Sequence, residues 1–456
     1  MLDYDTHSTS HLLSRAYRPV ADEVTVSSPA ITGTLPSELD GSFLRIGPNS
    51  LSARRGGHDP AVEHTFAGDA MVHAVRLGGG RAHWYRNRWV RTDRVAAELG
   101  ELPTPGPRYG LGDNANAGLV QHAGNVLALG DAGVLPHRLG PQLQTVDRFD
   151  FGGTLPDGFG ARPVQDPLTG ELHAVAYYHE LNHVTYVTVD ALGKVRRAEP
   201  IAVKGTPMMH ALSLTDRHTV LYDLPVTYSA ADAAAGSRVP YRWDDSHGAR
   251  LGVLPRDGGD ADVLWMDIDP CYVFHPVNAY ERGREIVVDV IRHERAFDRD
   301  PLHPVESEPA MWRWTIDRVG GTVSERRLFE GAEEFPCIDE RMTGTRHRWS
   351  WSVGMAPGLA GALGGRELLR HDLTAMRTDV HDLGPGREGG APVFVPRGPS
   401  APEGDGWVLT MVYDHATDRS DLVVVDTADF TGDPVAVVHL PVRAPHGLAS
   451  LWTAGR

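Results

Sequence analysis

The chain of 456 residues contains only two cysteines, Cys271 and Cys337. One pair of thiols builds no disulfide framework, and its spacing matches no zinc-ligand pattern. Lysine is equally scarce: Lys194 and Lys204 are the only two, and 44 basic residues stand against 60 acidic ones for a formal charge of −16. With the basic residues dispersed, so acidic a chain is no candidate for binding a nucleic-acid backbone. No apolar run approaches the ~20 residues that span a bilayer. The segment MLDYDTHSTSHLLSRAYRP lacks the basic start and apolar core of a signal peptide. The expectation is therefore a cytoplasmic protein without a transmembrane segment, for which a peripheral membrane contact stays open. Helical periodicity is nearly absent, with 359–373 the only stretch where it is arguable, and no internal repeat or low-complexity linker is visible. A hydrophobic fraction of 41% excludes a disordered chain.

What is abundant is punctuation. Gly 50 and Pro 33 are scattered between short apolar runs such as 70–77, 125–131, 173–179, 219–226, 285–293, 407–414 and 421–426. These runs alternate or carry β-branched and aromatic residues, and turn clusters such as DPLTG and PRDGGD bound them. Spread evenly and without a composition break, they predict one all-β domain over 1–456, and a β-propeller fits because radial repetition buries the faces of many short sheets. The composition also offers 23 histidines, which raises the question of a metal site.

Several segments together resemble the carotenoid cleavage oxygenase family. They run in order from GTLPSELDGSFLRIGPN (33–49) and HTFAGDAMVHAVRL (64–77), where Ala67 and Ala70 replace the usual Asp and Gly, through YRNRWVRT (85–92) and DNANAGLV (113–120). DPLTGEL (166–172), PMMHALSLTDRHTVLYDLPV (207–226), YRWDDSHGARLGVLPR (241–256) and WMDIDPCYVFHPVNAYE (265–281) follow, then EEFPCIDER (333–341), APVFVP (391–396) and DGWVLTMVYD (405–414). The resemblance covers nearly the whole chain. It implies a seven-bladed β-propeller capped by loops and short helices over an apolar tunnel, with Fe(II) on the axis held by four His, three of them steadied by Glu.

Carried over residue by residue, two ligand positions hold histidine: His210 in PMMH and His275 in CYVFHP. The first position does not. Where the family reads close to AHPxxDPxTGEL, this chain has ARPVQDPLTGEL, which places Arg162 at the ligand, and a guanidinium has no lone pair for a metal. The fourth, in APHGLASLW (444–452), holds Ala449 when Pro445, Gly447 and Trp452 are aligned; sliding the register by three would offer His446 instead. The Glu that usually supports the fourth His is replaced by Ala391, so ligand and partner have gone together. Glu334 remains where the partner of His275 is expected, and Asp131 stands where a Glu usually supports His210.

These positions imply a catalytic set of Arg162, His210, His275, Asp131 and Glu334, with no cofactor. Arg162 would supply the positive charge of the missing metal to an anionic group or developing oxyanion, and the two carboxylate-oriented imidazoles suit acid–base work. Isomerisation, elimination, hydration or cyclisation of an apolar isoprenoid or aromatic-alkene substrate fits. Other readings stay open. Arg162 could pair with Asp131 or Glu334 and seal an inert axis. An Fe(II) dioxygenase cleaving a C=C bond could persist on His210, His275 and Asp131, or on His446. The protein could also carry an apolar ligand without reaction. His64, His73, His179 and His183 are read as surface or core residues.

Overall fold

The computed structural model describes residues 16–51, 64, 66–109, 112–300, 302–355 and 364–455. Seven antiparallel sheets stand around an axis as propeller blades. Their innermost strands, in ring order, are Gly118–His122, Val164–Gln165, Leu212–Leu214, Pro276–Arg282, Glu333–Cys337, Val393–Pro396 and Ala449–Ala454. The ring closes where Ala449–Ala454 pairs with Gly41–Pro48, so both ends of the described chain share one blade. That closure is tight: a Cβ on Gly47 would lie 2.6 Å from the Cα of Gly447. Two short α-helices, Asp93–Leu99 and Ala230–Ala234, occur among the described residues, capped by Thr92 and Ser229.

The hairpins form where the turn residues dictate. In DPLTG the Asp166 carboxylate accepts the Leu168 N–H at 2.8 Å, and Gly170 takes the left-handed conformation (φ 72°) that closes the turn. Asp190, Asp317, Asp372 and Asp414 make the same aspartate-to-backbone bond in four other hairpins. Apolar faces of adjacent blades then meet, as where Trp351 stacks on Phe394 at 4.5 Å. The expected strands are found, among them Ala70–Gly78, Glu285–Arg292 and Gly406–Asp414. The arguable helix at 359–373 is a correction: 356–363 fall outside the described residues, and Glu367–Asp372 is a strand paired on both sides. Both of those pairings bury its Leu368, which outweighs the local periodicity.

Candidate active site on the propeller axis

Every site residue but Asp131 enters at the start of an innermost strand. Arg162 precedes Pro163, which holds it extended, and it forms a bridge with Ala211 of the next blade. Gly118 makes this approach feasible, because any Cβ there would collide with the Ala161 carbonyl. His210 and His275 precede the inner strands of the following two blades. Glu334 lies at a bulge in its strand, followed by Phe335 in the left-handed conformation (φ 54°). Asp131 leaves the strand Asn125–Leu129 just before Ala132, also left-handed (φ 61°). Such backbone stores about 1–3 kcal/mol at each position and holds only where surrounding contacts enforce it.

The side chains converge on Arg162. Its Nε donates to His210 Nε2 at 3.3 Å, and its Nη2 donates to His275 Nε2 at 2.7 Å and to the Leu448 carbonyl at 2.5 Å. Behind the rings, His210 Nδ1 lies 3.0 and 3.1 Å from the Asp131 oxygens, and His275 Nδ1 lies 2.6 Å from Glu334. Because a guanidinium only donates and a carboxylate only accepts, both imidazoles carry their proton on Nδ1 and accept at Nε2. Glu334 continues the chain to His293 Nε2 at 2.8 Å. The two Nη1 hydrogens of Arg162 have no partner among the described residues.

Burial sets the electrostatics. It pushes His275 down to about 4, against Glu334, which favours the proton, and with help from the neighbouring guanidinium. Arg162 is pushed down to about 10 by burial, against Asp131 and Glu334, and stays protonated at neutral pH. Burial alone would raise the Glu334 carboxyl, but His275 and His293 overcome it and hold the group well below the usual carboxylate range.

A cavity of about 410 Å³ lies above the cluster, lined by Asp131, Arg162, His210 and His275 with aromatic walls such as Phe66 and Tyr241. A second chamber of about 550 Å³ runs along the axis below, lined by Ala391 and Ala449 among others. Arg162, His275 and Phe335 face both, so they form the partition.

The model of the family described as retinal pigment epithelial membrane protein matches residues 17–454. The chain belongs to the carotenoid cleavage oxygenase family. A carotenoid cleavage oxygenase of Mycobacterium tuberculosis is 40% identical over 95% of each chain. The lignostilbene dioxygenase of Pseudomonas brassicacearum superposes with a TM-score of 0.86 at 25% identity, over 97% of this chain and 98% of the other. A cobalt-substituted apocarotenoid oxygenase of Synechocystis gives 0.85 at 25% identity with the same coverage.

Within this family fold, the expected cluster of Arg162, His210, His275, Asp131 and Glu334 is brought together. Three expectations meet other geometry. Arg162 has no ion pair with Asp131 or Glu334; it reaches each carboxylate through a histidine. Asp131 sits on Nδ1 of His210, the edge facing away from Nε2, so the two cannot share one ion as a His–His–Asp set. His446 faces neither chamber. It is buried with Nε2 on Glu388 at 3.1 Å, and Glu388 also bonds His415 at 2.6 Å. Ala449 lines the lower chamber instead, paired with Ile46.

Of the four histidines set aside, His64 and His73 are buried, and His183 is half-buried at a strand start. His179 is different: it lines the upper cavity, stacked on Tyr228 at 4.9 Å. Sequence reasoning also passed over His293, although it follows a strong strand directly, and the Tyr177, Tyr228 and Tyr241 wall.

Proposed function

We propose that the protein is an enzyme acting on an apolar isoprenoid or aromatic-alkene substrate that carries an oxygen group, by acid–base chemistry without a bound metal. The observation that carries this reading is Arg162, whose N–H groups occupy the lone pairs of both axial Nε2 atoms. That donor set does not fit an Fe(II) ion: it offers two imidazoles already engaged, with Arg162 and Ala449 at the remaining ligand positions and Ala391 where a supporting carboxylate would stand. The guanidinium adds a direct penalty. A unit charge about 4 Å from a dication costs about 8 kcal/mol at an effective dielectric of 20. In the metal's place, Arg162 gives a fixed positive charge at the wall of an aromatic-lined cavity, with Nη1 hydrogens that have no partner among the described residues, donors suited to a developing oxyanion. Isomerisation, elimination, hydration and cyclisation all fall within this chemistry. No helix among the described residues is long and apolar enough to cross a membrane, and the proposed location is the cytoplasm.

Relatives named carotenoid cleavage dioxygenases favour a second reading, oxidative cleavage of a C=C bond, with the Fe(II) that the family resemblance implies. Metal analysis separates the two. Protein produced in iron-rich medium is expected to hold less than about one-tenth of an iron per chain, while R162H/A391E/A449H approaches one. Near-stoichiometric iron in the unaltered protein would refute the metal-free reading.

A further inference from the structure

We infer that Asp131 is the base of an enolisation: it removes a proton from the carbon next to a ketone or aldehyde whose oxygen rests on Nη1 of Arg162. The inference rests on the metal-free reading above and names its substrate class, an apolar alkenyl ketone or aldehyde. The two carboxylates of the cluster are not equivalent. Glu334 is 5% exposed, and its oxygens are taken up by His275, His293 and the Phe335 N–H. Asp131 is 27% exposed, lines the cavity, and among the described residues both of its oxygens share a single donor, His210 Nδ1. Both line the cavity, but Asp131 has the greater exposure and more lone pairs left for a substrate proton, while Glu334 already accepts from three donors.

His210 sets the spacing between base and cation. With 3.0 Å on one side of the ring and 3.3 Å on the other, Asp131 lies no more than about 9 Å from the guanidinium. A carbonyl group with its neighbouring carbon bridges that span, hydrogen-bonded at one end and within reach of the carboxylate at the other. The walls are aromatic: Phe66 meets Phe274 at 5.5 Å, and Tyr177 meets Tyr241 at 5.9 Å. Exclusion of water by these rings strengthens the charge interaction at the oxygen.

The step balances without a co-reactant. The C–H bond breaks and its proton passes to an Asp131 oxygen. The freed electron pair forms the enolate C=C, and the carbonyl π pair moves onto the oxygen held by Arg162. With a β,γ double bond present, return of the proton to the γ carbon completes a shift into conjugation, and Asp131 is a carboxylate again.

The test uses geranylacetone, an isoprenoid methyl ketone, with the full-length protein in D₂O. Deuterium entry at the carbons flanking the carbonyl is read by mass spectrometry, and binding is read separately by calorimetry. The unaltered protein is expected to bind the ketone and exchange these positions. Asp131→Asn is expected to bind it within about 3-fold yet exchange at least about 100-fold more slowly, and Asp131→Glu to retain exchange. Absence of binding, binding without exchange in the unaltered protein, or exchange that survives Asp131→Asn and is lost in His179→Gln each overturns the assignment to Asp131. Those outcomes leave the metal-free reading standing. Iron near one per chain in the same preparation overturns that reading instead.

Discussion

Replacing Arg162 by Met keeps most of the side-chain volume and removes the guanidinium, which isolates what its charge and N–H groups contribute. Three acceptors lose their donor: His210 Nε2, His275 Nε2 and the Leu448 carbonyl. Hydrogen bonds from a charged donor are worth about 1.5–3 kcal/mol each, and their loss leaves buried acceptors unmatched. The substitution also leaves two carboxylates, Asp131 and Glu334, without the cation between them. One term opposes this. Burial brings Arg162 down to about 10 even against the attraction of Asp131 and Glu334, and the variant escapes that desolvation cost. The lost interactions outweigh the relief, and a net destabilisation of about 3–5 kcal/mol is expected, the range for breaking a buried charged cluster by removing one member. Urea denaturation at pH 7.5, compared at equal m-values, measures it. Arg162→Lys keeps the charge but donates from one compact nitrogen instead of a spread fork, so it is expected to fall between the two. A loss below 1 kcal/mol in Arg162→Met, or a gain, would refute the claim that the guanidinium holds the axis together.

Two other perturbations probe neighbouring groups. The Tyr241 hydroxyl is buried with no hydrogen-bond partner among the described residues, so Tyr241→Phe is expected to leave stability unchanged or raise it by up to about 1 kcal/mol by thermal melting; a loss above 1 kcal/mol would reveal a bond. Burial pushes the Glu388 carboxyl up, but hydrogen bonds from His446 and His415 bring it down to about 2 from 4.5. The folded state thus favours the ionised form, and this contribution is complete above pH 4.5 and fades as pH falls toward 2. The stability gap between the protein and Glu388→Gln, about 2–3 kcal/mol at pH 7, is expected to close across that window in acid titrations of denaturant midpoint; a gap constant from pH 6 to 3 would contradict it.

The positions of Arg162, His210, His275 and Glu334 were legible through the family resemblance, whose motifs on either side of each residue pin the register. The pairing of His210 with Asp131 and of His275 with Glu334 was expected too; the partners of Arg162 were not. The reach of Arg162 across to Leu448 depends on ring closure between segments nearly three hundred residues apart, which no local pattern encodes. For the same reason, the sequence showed Ala391 and Ala449 as losses without showing Glu388 and His446, each three residues earlier, forming a buried pair of their own. The partition of the axis into two chambers was likewise out of reach. It depends on the left-handed turn at Phe335, a non-glycine residue that carries no local signal for such a backbone.

The pairing of Ala449–Ala454 with Gly41–Pro48 has a consequence for synthesis. A chain emerging from the ribosome can complete its middle blades early, because each is built from consecutive strands. The blade holding residues 41–48 must wait for a partner made some four hundred residues later. Until then its edge is unpaired, and Leu448 is not yet in place to accept from Arg162. The axial site is therefore assembled last, in the same event that shuts the ring, and a nascent chain has no working site until that final strand is released.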